Sequence, residues 1–189
     1  PRVAKIWGEL RPTWTRGGRT FQYARGGDVD RPGGLAFGKM QVFERRLDGK
    51  PDRKLIGFGE AFGPEVREKD WVFTEPRGDA RFTFAFMVEG VSGDARGVVR
   101  LTADLDRDPA KARWVPLFGT EAGARDLAIF GRYVYIRSHK DASRLRILRV
   151  DATRPGAAPA GVVPQQSGVI DAFAAAADGL YFLVRTGAL

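Results

Sequence analysis

The sequence has no cysteine and one histidine, and these two scarcities remove much of the chemistry open to a chain of 189 residues. Without cysteine there are no disulfides and no Cys-ligated metals. The redox compartment stays open, since a cysteine-free protein can live anywhere. With His139 as the one histidine, a metal site would rest on carboxylates. A Ser-His-Asp triad would need an activated serine beside His139. The nearest approach to a Gly-x-Ser-x-Gly elbow is Gly90-Val91-Ser92-Gly93-Asp94, whose second glycine comes one place early, in a hairpin loop. Asp104, Asp106 and Asp108 are spaced like the start of a calcium loop, but the glycine turn and the closing Glu are missing. Gly17-Gly18 and Gly33-Gly34 lack phosphate-loop spacing and read as turns. No catalytic residue, metal site or cofactor is expected, and His139 reads as a hydrated loop residue.

Long apolar runs are also missing, so no stretch spans a bilayer as a helix and no membrane partner is expected. No secretory leader is visible; the chain opens at Pro1 rather than Met, so its natural start is expected to lie upstream and the compartment stays undetermined. Helical periodicity is nearly absent. The one alanine-rich stretch, Phe173-Ala174-Ala175-Ala176-Ala177, occupies a slot where a strand is expected, and Asp178-Gly179 closes it as a hairpin turn would.

What is abundant is charge. Lys and Arg number 31 against 23 Asp and Glu, for a net charge of +8. Of the cations, 24 are Arg and seven are Lys, scattered and often beside acids, as in Asp106-Arg107-Asp108. No basic run alternates with aromatics as a single-strand binder requires, so no nucleic-acid partner is expected.

A turn followed by an aromatic residue recurs four times. The turns at 17–20, 78–81, 130–132 and 178–180 precede Phe21, Phe82, Tyr133 and Tyr181, which are 61, 51 and 48 residues apart. Strand-like units at such periods are the signature of propeller blades. The expected architecture is all-β: a partial propeller of about three and a half four-stranded antiparallel blades. The blades fall at 11–58, 71–118, 124–164 and 169–189, the last incomplete, with 1–10 as the remnant of a preceding one. The second blade is expected to run its third strand from Gly97 to Leu105, with Val99, Leu101, Ala103 and Leu105 on one face. Trp14, Trp71 and Trp114 are expected between blades as packing. Fewer blades than a ring needs would leave the chain poorly soluble, oligomeric or weakly stable. One connection is long and glycine-rich, 26–38, and is expected to be mobile and functional.

Four motifs in register resemble the prolyl oligopeptidase family of serine peptidases. Pro12-Thr13-Trp14-Thr15-Arg16-Gly17-Gly18-Arg19-Thr20-Phe21-Gln22-Tyr23 is similar to that family's x-x-W-T-x-D-G-x-x-F-x-Y blade. Lys39-Met40-Gln41-Val42-Phe43 resembles K-x-Q-V-Y, and His139-Lys140-Asp141-Ala142-Ser143-Arg144 resembles N/H-K-D-A-P-R. Val162-Val163-Pro164-Gln165 resembles V-V-P-E. Gly17 for Asp, Ser143 for Pro and Gln165 for Glu are departures, all in turns.

The resemblance implies a seven-bladed propeller over an α/β-hydrolase domain of the same parent chain. That domain would carry the Ser, Asp and His catalysts and cleave short peptides after proline, while the propeller gates access. This chain alone would be inactive. The resemblance further implies that loops joining second to third strands face the hydrolase domain. These supply Gly26, Gly27, Asp28, Asp30, Arg31, Gly33, Gly34 and Phe37, then Ser92, Asp94 and Arg96, then His139, Lys140 and Asp141. It places Val72 and Val91 at the border of the substrate pocket. The alternative is a non-enzymatic propeller that binds a protein or peptide partner on the same loops.

Overall fold

A computed structural model describes residues 12–27, 38–60, 63–75, 81–90, 93–107 and 113–187. Fourteen strands among them form consecutive antiparallel meanders. The first sheet joins β1 (Thr13–Thr15), β2 (Thr20–Arg25), β3 (Gln41–Arg46) and β4 (Arg53–Gly57) in chain order. The second joins β5 (Asp70–Glu75), β6 (Phe82–Glu89), β7 (Ala95–Leu101) and β8 (Val115–Phe118). The third joins β9 (Ala124–Phe130), β10 (Tyr133–Ser138), β11 (Arg146–Asp151) and β12 (Ala160–Val163). A hairpin of β13 (Val169–Ala176) and β14 (Gly179–Arg185) follows, so the alanine-rich stretch is a strand. One residue pair, Ala95 with Ala124, ladders the second sheet to the third. This is the expected all-β, partial-propeller architecture.

The side-chain alternation of β6 shows why the sheets stack. Phe84 and Phe86 are buried in a cluster with Val134, Ile136, Leu148 and Val150 of the third sheet. Ala85 and Met87, pointing the other way, are buried with Ala24, Met40, Val42 and Ile56 of the first. A period of two therefore feeds two cores, and the strand is apolar on both faces because it has a sheet on each side. Burying side chains of that size contributes about 1.5–3 kcal/mol each.

Three expectations fail. The third strand of the second sheet ends at Leu101, and Thr102–Arg107 is a short α-helix, α1. Leu101 is 50% exposed, so the alternation that would continue the strand has no core to face there. The Thr102 amide instead donates to the Arg81 carbonyl at 2.8 Å, and Asp104 lies in the first helical turn, where a carboxylate favours the helix. Trp14 and Trp71 are exposed rather than packed between sheets, while Trp114 is half-buried against the core beneath Arg100.

The third failure concerns Phe21, which the turn–aromatic recurrence puts in a position equivalent to those of Phe82, Tyr133 and Tyr181. In the ladders between second and third strands, the end pairs are Thr20 with Arg46, Phe82 with Leu101 and Tyr133 with Asp151. Thr20 thus stands where Phe82 and Tyr133 stand. Phe21 is one residue further on, and a one-residue offset reverses the face. It points away from the second sheet, edge-on to Trp14 at 5.4 Å and beside Tyr23, which stacks on Phe43 at 5.7 Å. The turn explains the offset: Gly17 and Gly18 both take positive φ, 65° and 83°, and Thr15 pairs directly with Thr20. Tyr181 pairs with Ala174, two positions in from the pair that closes its hairpin, whereas Tyr133 closes its own.

Candidate functional site

The described bases of the connections that leave the second strands lie at one end of the molecule, together with the starts of the first strands. The first such connection is pinned at its base. The Gly27 amide donates to the Gly38 carbonyl at 3.0 Å, and the Lys39 amide donates to the Glu68 carbonyl at 2.7 Å. Gly27 must be glycine: a Cβ there would sit 2.9 Å from both Cβ and the carbonyl oxygen of Lys39. Gly26 is buried beside it. Asp28, Asp30, Arg31, Gly33, Gly34 and Phe37 lie outside the described residues, as do Val91, Ser92 and residues 1–11.

The second and third connections meet. Asp94 Oδ1 lies 2.9 Å from His139 Nε2 and 3.2 Å from Arg125 Nε. His139 is held by its own backbone, which donates to the Gly123 carbonyl at 3.0 Å. Gly123 has φ 59°, and a Cβ on it would press on Lys140 N and the His139 ring at 3.0–3.2 Å. The Ser138 hydroxyl beneath donates to the Ala122 carbonyl at 2.5 Å, so this serine is a buried structural donor. His139 is thus engaged with a carboxylate and ties the loops of two sheets together.

The remaining predicted residues separate. Arg96 reaches down from β7 to Asp70, whose carboxylate is buried and also accepts the Arg67 amide at 2.7 Å. Lys140 and Asp141 are exposed on the loop, with Arg146 3.8 Å from Asp141. Val72 is fully buried among Met40, Val42, Leu55, Met87 and Val98.

Arg144 extends this end toward the β13–β14 hairpin. Its amide donates to Gln165 Oε1 at 3.0 Å, its Nη1 to the Ser167 carbonyl at 2.6 Å, and its carbonyl accepts the Ile170 amide at 3.1 Å. At Gln165 a neutral amide oxygen is enough, since it meets a backbone N–H. A cleft of about 250 Å³ opens beside it, lined by Arg144, Ser167, Gly168, Val169, Arg185 and Thr186. Arg125, Arg144 and Arg185 were not anticipated as site residues. Arg125 was within reach of the topology, because first strands start where second strands end.

No family model matches the sequence, and no curated protein matches it. The fold does match solved structures. A chain from a structural study of two prolyl endopeptidases, on inter-domain dynamics in catalysis and specificity, superposes with a TM-score of 0.66 at 16% identity. The match covers 92% of this chain and 24% of that one. Prolyl oligopeptidase B from Galerina marginata, bound to a 25mer macrocyclization substrate, gives 0.66 at 15% identity over 91% and 24% of the two chains. The same protein with a 35mer hydrolysis and macrocyclization substrate gives 0.63 at 13% identity, over 90% and 23%. The present chain therefore has the fold of about a quarter of a prolyl oligopeptidase, the propeller part.

Proposed function

We propose that this chain is a non-catalytic portion of the propeller of a prolyl-oligopeptidase-like serine peptidase, and that its loop end docks the α/β-hydrolase domain and gates peptides. The observation that carries the reading is the pairing of fold and coverage: 92% of this chain superposes on 24% of a prolyl endopeptidase chain. The loop end is suited to docking. It presents charged groups held in place by Asp94, His139 and Arg125, and partly exposed polar residues are typical of interfaces between domains of one chain. Cleavage after proline would belong to the hydrolase domain. The peptides admitted would be of the order bound by the Galerina protein, tens of residues or fewer.

A fluorophosphonate probe tests the enzymatic part. The full-length protein should be labelled on a serine outside these 189 residues, and this chain alone should not react. An unlabelled full-length protein would overturn the assignment. Gating is tested separately with proline-containing peptides of increasing length. His139→Ala and Asp94→Ala should change kcat/KM more for long peptides than for short ones. Equal effects at all lengths would remove the gating role.

A further inference from the structure

The third sheet carries a second cleft at the end opposite the docking loops. It holds about 550 Å³, within the usual range for small-molecule sites, and its lining includes Arg132, Tyr133, Arg149, Asp151, Arg154 and Ala158. The Arg149 guanidinium lies 4.6 Å from the Tyr133 ring centroid and that of Arg132 lies 5.0 Å from it. Arg132 is otherwise satisfied: Nη2 donates to the Tyr133 hydroxyl at 2.8 Å, and Nε lies 3.3 Å from Asp151. Asp151 Oδ1 also accepts the Thr153 amide at 2.9 Å and hydroxyl at 2.7 Å. Burial pushes the Asp151 carboxyl up, but the Thr153 donors and then Arg132 and Arg154 outweigh it, and the carboxyl is held below its ordinary value.

Asp151, the one carboxylate of the lining, is thus already engaged by Thr153 and Arg132. Arg154 acts on Asp151 only through its longer-range charge, and among the described residues neither Arg149 nor Arg154 closes an ion pair within 4.0 Å. Arg149 is held over the face of the Tyr133 ring. A stacked guanidinium loses little rotamer freedom on binding and presents a fork that fits carboxylate or phosphate oxygens. Ala157, Ala158 and Ala160 add small, uncharged side chains to the lining.

We propose that this cleft binds a small multivalent oxyanion, a di- or tricarboxylate or a pyrophosphate, between Arg149 and Arg154. The proposal is independent of the docking role, since it uses no residue of the loop end. Calorimetric titration of the full chain with citrate and, separately, with pyrophosphate tests it. Saturable one-to-one binding to at least one probe is expected, weakening as ionic strength rises. Binding of citrate alone would assign a carboxylate ligand, and binding of pyrophosphate alone a phosphate. Arg149→Gln and Arg154→Gln should each weaken binding about tenfold, or about 1.4 kcal/mol, while Lys140→Gln at the other end should leave it unchanged. Both arginines are exposed, so the fold should survive, as far-UV circular dichroism would confirm. In the unmutated chain, the bound anion should protect both from phenylglyoxal. No saturable binding to either probe, undiminished binding by the double variant, or no protection would each overturn the proposal.

Discussion

The two interfaces on either side of the second sheet are built differently. The one toward the third sheet is aromatic and dry in composition: Phe84, Phe86 and Phe118 meet Val134, Ile136, Leu148 and Val150. The one toward the first sheet contains an apolar cluster of comparable kind, but it also buries Thr20, Gln22, Glu44 and Arg100. The Thr74 hydroxyl donates to Gln22 Oε1 at 2.5 Å, and Arg53 Nη2 donates to Glu44 Oε1 at 2.6 Å. Arg100 lies over Trp114 at 4.2 Å and donates to the Leu55 carbonyl at 3.2 Å. Apolar contact between sheets is tolerant of sliding, whereas hydrogen-bonded groups taken out of water accept only one register. The interface toward the first sheet is therefore the one that fixes alignment, while the one toward the third sheet is held by apolar packing.

The difference can be broken from both sides. The largest effect is expected for Phe86→Ala, which opens a cavity in the dry interface and should cost about 3–5 kcal/mol in urea unfolding. A loss below about 1 kcal/mol would show that the two sheets do not depend on that packing. Glu44→Ala should cost about 2–4 kcal/mol, since it takes away a buried carboxylate that Arg53 Nη2 binds. Replacing Glu44 and Arg53 together by Met and Leu should recover most of that loss, and failure to recover would mean the pair is stabilising in itself. Gly97→Ala should cost about 1–3 kcal/mol by overpacking, because a Cβ there collides with the Phe118 ring.

A pH profile sharpens the comparison further. Burial, and secondarily Arg53, pull the Arg100 pKa down to about 9. The unfolded chain thus binds a proton that the folded chain releases between pH 9 and its ordinary, higher value. Over that window the wild type should gain stability relative to Arg100→Met as pH rises, and below pH 9 the difference should be flat. A difference that is flat throughout would mean that Arg100 keeps its charge. The smallest effect is expected for His139→Gln, below about 1 kcal/mol, because the Asp94 pair is partly exposed and screened by salt. A larger loss in thermal melts would mark the loop contact as a structural strut.

The strands were legible because their periodicity is strong and their turns are punctuated by glycine, as at Gly131 and Gly179. The double-sided burial of β6 was not, because Phe82–Phe86 alternates large apolar with small or polar residues as a half-buried strand does, and only a sheet on each side buries Thr83 and Ala85 as well. The face of Phe21 was not, because a four-residue turn and a two-residue turn look alike in sequence yet shift the register by one. Helix α1 was misread because Leu101, Ala103 and Leu105 alternate, and alternation alone does not reveal whether a core lies opposite. In the candidate site, the loops were identifiable from topology and resemblance, but the His139–Asp94 contact spans 45 residues and has no local signature. The arginine cleft joins a turn, two strand ends and a linker, none of which is unusual by itself.

One small contact has a mechanical meaning. Ala95 and Ala124 are both buried and form, among the described residues, the one rung between the second and third sheets, close to the paired loops. Two stiff plates fastened at one end open at the other, like the covers of a book held at the spine. Thermal breathing between these sheets should then leave the spacing of Asp94 and His139 nearly constant and widen the far rim. A side chain larger than alanine at either position would act as a wedge at the spine, spreading the loops with no change in their own sequence.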